Sequence, residues 1–173
     1  EGSNDDTIAD FGSGNWSMIT SISDITAWTD LFPGGDRFQT QTFLFDNFTP
    51  YTHYRWTVVE TQGPSGCCFQ IPEVECLCTG GPKDVTQPGD PLIASSANSP
   101  GSEGVANAID GQPTKYLNRD SANNAAVSGF VVTPSVGATL VTGMGMQSAN
   151  DAPDRDPKIV TLEGSNDDSI ADF

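Results

Sequence analysis

Residues 1–11, EGSNDDTIADF, return at residues 163–173 as EGSNDDSIADF, with ten of eleven positions identical and only Thr7 exchanged for Ser169. A peptide of this length does not recur at this fidelity by chance. The chain therefore shows one period of 162 residues, from Glu1 to Glu163, and the opening of the next. A domain-sized period points to a tandem array and not to the short unit of a solenoid. A tag or a designed duplication is the plain alternative. A unit of this length is the usual size of one domain and buries a real core, so one domain per period is expected.

The net charge of −16 counts the peptide twice; removing Glu163, Asp167, Asp168 and Asp172 leaves −16 + 4 = −12 per period. Seven basic residues, scattered singly, cannot neutralise a row of phosphates, which argues against a nucleic-acid partner. The plain reading of the charge is a solvated acidic surface. No run of eighteen apolar residues is present, so no helical membrane span is expected. A secretory leader would lie outside this window. Two sequons, Asn15-Trp16-Ser17 and Asn47-Phe48-Thr49, together with clustered cysteines, favour a secreted or cell-surface, glycosylated protein.

Period-two alternation dominates the chain, and helical periodicity is almost absent. Residues 17–25, 38–45 and 54–59 read as half-buried strands, the last with Tyr54, Trp56 and Val58 on one face. Residues 130–133, 140–148 and 158–163 read as strands in the second half. Residues 30–36 and 62–66 carry turn chemistry. Only residues 103–109 suggest a helical turn. Residues 79–91, TGGPKDVTQPGDP, hold three Gly and three Pro. Their composition predicts an extended linker or entry arm outside regular structure, with a domain boundary near Gly80. On that frame, residues 1–78 are the later part of one unit, and residues 84–173 are the earlier part of the next.

Read in that order, VANAIDGQPTKYLN from Val105, GFVVTPSVGA from Gly129, MGMQSANDAPDRDP from Met144 and VTLEGSNDDSI from Val160 follow one another. They are followed by NWSMI from Asn15, YTHYRWTV from Tyr51 and CFQIPEVE from Cys68. This combination resembles the discoidin, or coagulation factor five/eight C-type, domain in its bacterial form, similar to the family 32 carbohydrate-binding modules. The match covers most of the period. The resemblance implies an all-β, jelly-roll β-sandwich of the galactose-binding-like kind, seen out of frame as one period of a tandem or head-to-tail array.

Asp110, Gly111 and Thr114 lie in a tight DGQPT loop that can offer a carboxylate, a hydroxyl and carbonyl oxygens to one hard cation, a donor set suited to calcium. The resemblance implies a structural calcium here, completed by a carboxylate of the closing strand, which corresponds to Glu73. An ordinary Asp-Gly turn with Glu73 in solvent is the competing reading. Cys67, Cys68, Cys76 and Cys78 lack zinc spacing, and His53 is the sole histidine, so disulfides are expected, with reduced thiols as the alternative. Adjacent cysteines rarely bond to each other, so Cys67 and Cys68 are expected to face apart and pair elsewhere, within the unit or between neighbouring repeats. Cys76 and Cys78 share one face if their strand continues.

No nucleophile motif accompanies His53, and Asp5 with Asp6, or Asp154 with Asp156, read as turn acids, so enzymatic activity is not expected. Glycan binding, which the resemblance implies, needs an aromatic platform with polar partners. By residue type the contact candidates are Trp28, His53, Arg55, Tyr116 and Arg119, with Trp16 and Asn118 beside them. Trp56 reads as core. The leading expectation is a structural subunit of an extracellular glycosylated filament or adhesive repeat protein, whose partners are copies of itself. Its units would join covalently or by a donated strand. The alternative is a carbohydrate-binding module of a larger secreted enzyme or adhesin.

Overall fold

The computed structural model describes residues 9–23, 25–31, 34–63, 67–78, 83–121 and 128–170. Polar/apolar alternation becomes strand wherever one face has a core to cover. Among the described residues the strands are β1 (Ser17–Ile22), β2 (Thr40–Leu44), β3 (His53–Thr61), β4 (Phe69–Ile71), β5 (Glu73–Cys78) and β6 (Lys83–Asp84). The rest are β7 (Leu92–Ala94), β8 (Tyr116–Asn118), β9 (Ser128–Val132), β10 (Val141–Gln147) and β11 (Pro157–Ser165). They form a five-stranded sheet in the order β1-β11-β3-β9-β7, a four-stranded sheet in the order β2-β10-β5-β6, and the pair β4-β8. All these pairings are antiparallel. The chain is an all-β sandwich.

The core is built from the alternating inward faces. Tyr54, Trp56 and Val58 of β3 are each at most 1% exposed, as their shared face requires. They belong to one buried cluster with Val160 and Leu162 of β11, Val74 and Cys76 of β5, and Met144 and Met146 of β10. The Trp56 ring lies 5.7 Å from that of Phe69 and 5.4 Å from that of Phe130. Each such side chain contributes roughly 1.5–3 kcal/mol by leaving water. The expected strand at residues 17–25 stops at Ile22; Ile25 instead buries its side chain and donates its N–H to the Lys158 carbonyl at 3.0 Å. The expected helical turn at residues 103–109 is a 3-10 helix at Val105–Ile109.

The Gly- and Pro-rich segment needs a correction. Of residues 79–91, those from Lys83 onward belong to the sandwich: β6 pairs with β5, with Cys78 opposite Lys83, and Val85 and Thr86 are buried. The physical reason lies in two acids. Asp84 Oδ1 accepts from the Cys76 N–H at 3.1 Å and the Thr86 N–H at 2.9 Å, while the buried Asp90 accepts from the N–H groups of Gln87 and Ser135. These bonds hold a chain that composition alone leaves free.

Both large sheets contain strands from before and from after residues 79–82, so the two segments complete one sandwich between them. Residues 163–170 of the repeated peptide belong to that sandwich. Glu163 to Ser165 end β11, between β1 and β3, and Asp168–Ile170 makes a 3-10 turn. The buried Ile170 then meets Ile93 and Val131 on the outer side of the sheet, where Phe11 and Trp16 pack beside it. The Asn15 N–H and Nδ2 both donate to Asp167 Oδ2 at 3.1 Å.

Candidate functional site

The acids gather at one corner, where β5 begins beside the turn that follows Val105–Ile109. Asp110 closes that 3-10 helix, and Gly111 follows with φ of 65°, a conformation open to glycine. Asp110 Oδ1 accepts from the Gln112 N–H at 2.8 Å and Oδ2 from the Thr114 hydroxyl at 2.7 Å. Glu73 Oε2 accepts from the Gly111 N–H at 2.8 Å, so a residue 38 positions away reaches the Asp110 loop. The fold brings Glu73, Asp110 and Thr114 to one place. Glu75, Asp84, Gln112 and Thr86 line the same open cavity of about 400 Å³ as Glu73.

This corner is electrostatically uncompensated. Glu73 is 9% exposed, and burial raises its pKa to about 8, against the Gly111 hydrogen bond and with help from Asp84, Asp110 and Glu75. Burial likewise raises Glu75 and Asp84, with Asp84 adding to the shift of Glu75 and Asp90 to that of Asp84. The ion pairs found among the described residues join Arg37 to Asp156, Arg55 to Glu163, Lys115 to Asp151 and Glu103, and Lys158 to Glu60. None reaches Glu73, Glu75, Asp84 or Asp110. As a fit to calcium, the corner offers the Glu73 and Asp110 carboxylates and the Thr114 hydroxyl, all hard oxygens. No group of three or more His, Cys, Asp or Glu side chains among the described residues is close enough to hold a metal by itself.

The glycan-contact candidates are not brought together. Trp28 and Tyr116 are core side chains, 1% and 0% exposed, with no ring face for a ligand. Tyr116 packs edge-on against Phe69, and its hydroxyl accepts from Asn118 Nδ2 at 3.1 Å. His53 is buried with Nδ1 2.8 Å from the Thr133 hydroxyl, and burial lowers its pKa. Arg55 lies on the outer face of β3, 2.8 Å from Glu163, with its guanidinium over Trp16 and Phe11 at 4.6 and 5.7 Å. Arg119 is exposed, in the 3-10 turn Arg119–Ser121.

The cysteines also differ from expectation. Cys67 and Cys68 are disulfide-bonded to each other, not to distant partners; their Cα atoms are 3.8 Å apart, the distance a trans peptide imposes. The expectation that the two face apart and pair elsewhere is overturned: the bond closes within one peptide unit. Cys76 and Cys78 are free thiols on β5, the first buried and pushed well up in pKa by that burial, the second half-buried. Of the sequons, Asn15 is exposed; Asn47 is half-buried, with Nδ2 donating to the Thr49 and Val141 carbonyls at 3.0 Å each.

Asp5 and Asp6 lie outside the described residues, and Asp154 and Asp156 do not act as a pair. Asp154 is exposed, whereas Asp156 is buried, 2.7 Å from Arg37 and bonded to Gln70. Sequence reasoning missed this network, which continues from Gln70 to the buried Lys115 at 3.2 Å and on to Asp151 at 2.6 Å. No local signal marks it, because its partners meet only in the fold. Comparison of the chain with protein-family models, with curated proteins and with solved structures finds no match.

Proposed function

We propose that this chain is the repeating unit of an extracellular filament or adhesive array, in which galactose-binding-like jelly-roll sandwiches follow one another along the chain. The observation that carries the reading is the near-identical return of residues 1–11 at residues 163–173, a domain-sized period of 162 residues. An exposed sequon at Asn15 and an oxidised Cys67–Cys68 pair support an extracellular setting. Calcium at the Glu73–Asp110 corner would neutralise a buried carboxylate and tie β5 to the loop after Ile109. Its binding would add to stability in proportion to its concentration over Kd. Of the aromatic candidates for glycan contact, Trp28 and Tyr116 are core, whereas Trp16 is half-buried.

Reducing, denaturing electrophoresis of the native protein is the test. Masses at multiples of one period, with fibres in electron microscopy, are expected. A single species of one period that stays monomeric at every concentration refutes the reading.

A further inference from the structure

Lys115 is the lysine that the fold takes out of water: it is buried, whereas Lys83 is exposed and Lys158 half-buried. It stands two residues before Leu117 of β8, which faces Gln70 of β4. That diagonal spans about 7–8 Å across a ladder, a gap that two long side chains close together. Lys115 Nζ accordingly donates to Gln70 Oε1 at 3.2 Å and to Asp151 Oδ1 at 2.6 Å, with Glu103 Oε1 at 3.9 Å. Gln70 Nε2 donates to the Asp151 and Ala152 carbonyls and to Asp156 Oδ1, the last at 3.2 Å. Three acceptors on its nitrogen and an ammonium on its oxygen leave the carboxamide one orientation. Lys115, Gln70 and Asp156 are each at most 6% exposed, and burial raises the pKa of Asp156 against the pull of Arg37. An amine, a carboxamide and a buried acid are thus held in one contact, with Asp151 on the solvent side of the amine.

We propose that Lys115 and Gln70 condense into a side-chain amide once the chain has folded, a self-made cross-link between β4 and the residue that leads into β8. The bond that forms joins Lys115 Nζ to Gln70 Cδ, and the bond that breaks is Gln70 Cδ–Nε2. Asp151 takes the proton whose loss frees the Nζ lone pair and, being half exposed, passes it to water. The second Nζ proton goes to Nε2, with Asp156 Oδ1 beside that nitrogen as the relaying acid, and Nε2 leaves as ammonia. Amine and carboxamide become amide and ammonia, so the balance needs no oxidant. Holding the two groups in contact replaces the rare encounter that makes this reaction slow between free molecules. The bond ties residues 45 positions apart. It locks together β4 and β8, two three-residue strands that pair outside the two large sheets. The proposal does not rest on the tandem reading.

Mass spectrometry of the folded, unglycosylated chain after reduction is the test. Its intact mass is expected to lie one ammonia, about 17 Da, below the mass of the sequence. Trypsin should then leave Lys115 uncut and release residues 56–83 joined to residues 84–119 as one branched peptide. Lys115→Arg keeps a cation beside Asp151 without an amine that can be acylated in this way. That variant should show the full mass of its own sequence, and trypsin should cut at the substituted position and release residues 56–83 as a separate peptide. A wild-type chain that keeps the full mass after prolonged incubation at neutral pH, and is cut after Lys115, overturns the cross-link and leaves an ordinary ion-paired lysine. The same mass loss mapped to an asparagine, as cyclisation of its side chain gives, overturns it as well.

Discussion

Two acids in this sandwich occupy similar positions and live in opposite surroundings. Glu163, near the end of β11, has a side chain 17% exposed, stands 2.8 Å from Arg55, and is backed by the Trp16 ring under the guanidinium. Glu73, at the start of β5, is 9% exposed and has one backbone N–H and the field of three further acids. With seven basic residues in the chain, compensation is local. The repeated peptide's end of the sandwich is complete in protein groups. The Glu73 corner has no ion pair to a basic side chain among the described residues.

The largest expected effect tests how fully the first region is packed. Gly164 leaves the space that the Tyr51 ring fills, and a Cβ there would lie well inside contact with Tyr51 Cγ and Cδ2. Because the base of the ring is what collides, Tyr51 cannot swing its tip aside; it must leave its edge-on contact with Tyr54. Gly164→Val is expected to cost about 3 kcal/mol and lower Tm by roughly 6–12 °C. An unchanged Tm would show that this end of the sandwich is loose and break the contrast.

The next effect tests the second region through pH. The folded pKa of Glu73 is about 8 against an ordinary value of 4.5, so over that interval the folded state holds a proton that the unfolded state has lost. Calcium-free protein should therefore be most stable below about pH 4.5 in this term and lose stability as pH rises to about 8. Discounted for solvent screening, the loss is about 2 kcal/mol. Glu73→Gln should flatten that part of the profile. Calcium should reverse it, because metal binds the ionised form and competes with the proton. Thermal melts from pH 5 to 9, with calcium or with chelator, check this; identical melts in calcium and chelator rule out a cation at the corner.

The same contrast explains what could be read before folding. Alternation placed Tyr54, Trp56 and Val58 on one buried face because a strand's period is a local property. β4 and β8 escaped it: each has three residues, all buried, so no polar alternation marks them. The DGQPT loop was visible as oxygen donors in a tight turn. The burial of Trp28 and Tyr116 was not, since a ring's exposure depends on what packs over it from far along the chain. Arg37 and Asp156 are 119 positions apart, and their pairing has no trace in local sequence. Adjacency misled at Cys67 and Cys68, where the general rarity of such bonds stood in for the geometry of this peptide.

The smallest effect separates charge from stacking at Arg55. Its ion pair with Glu163 is partly exposed, and the pair alone contributes less than about 1 kcal/mol. Stacking over Trp16 adds about 0.5–1 kcal/mol and needs the planar guanidinium. Arg55→Ala is therefore expected to lose about 1.5 kcal/mol, Glu163→Gln less than half of that, and Arg55→Lys to recover the charge but not the stack. Salt should weaken the Glu163 contribution and leave the Trp16 contribution nearly intact, since screening acts on charge pairs and not on ring contact. If Arg55→Lys behaves as wild type in urea melts at low and high salt, the aromatic backing has no energetic part. Glu163 and Glu73 would then differ only in having a cation nearby, and supplying one to Glu73 as calcium should make the two regions equivalent.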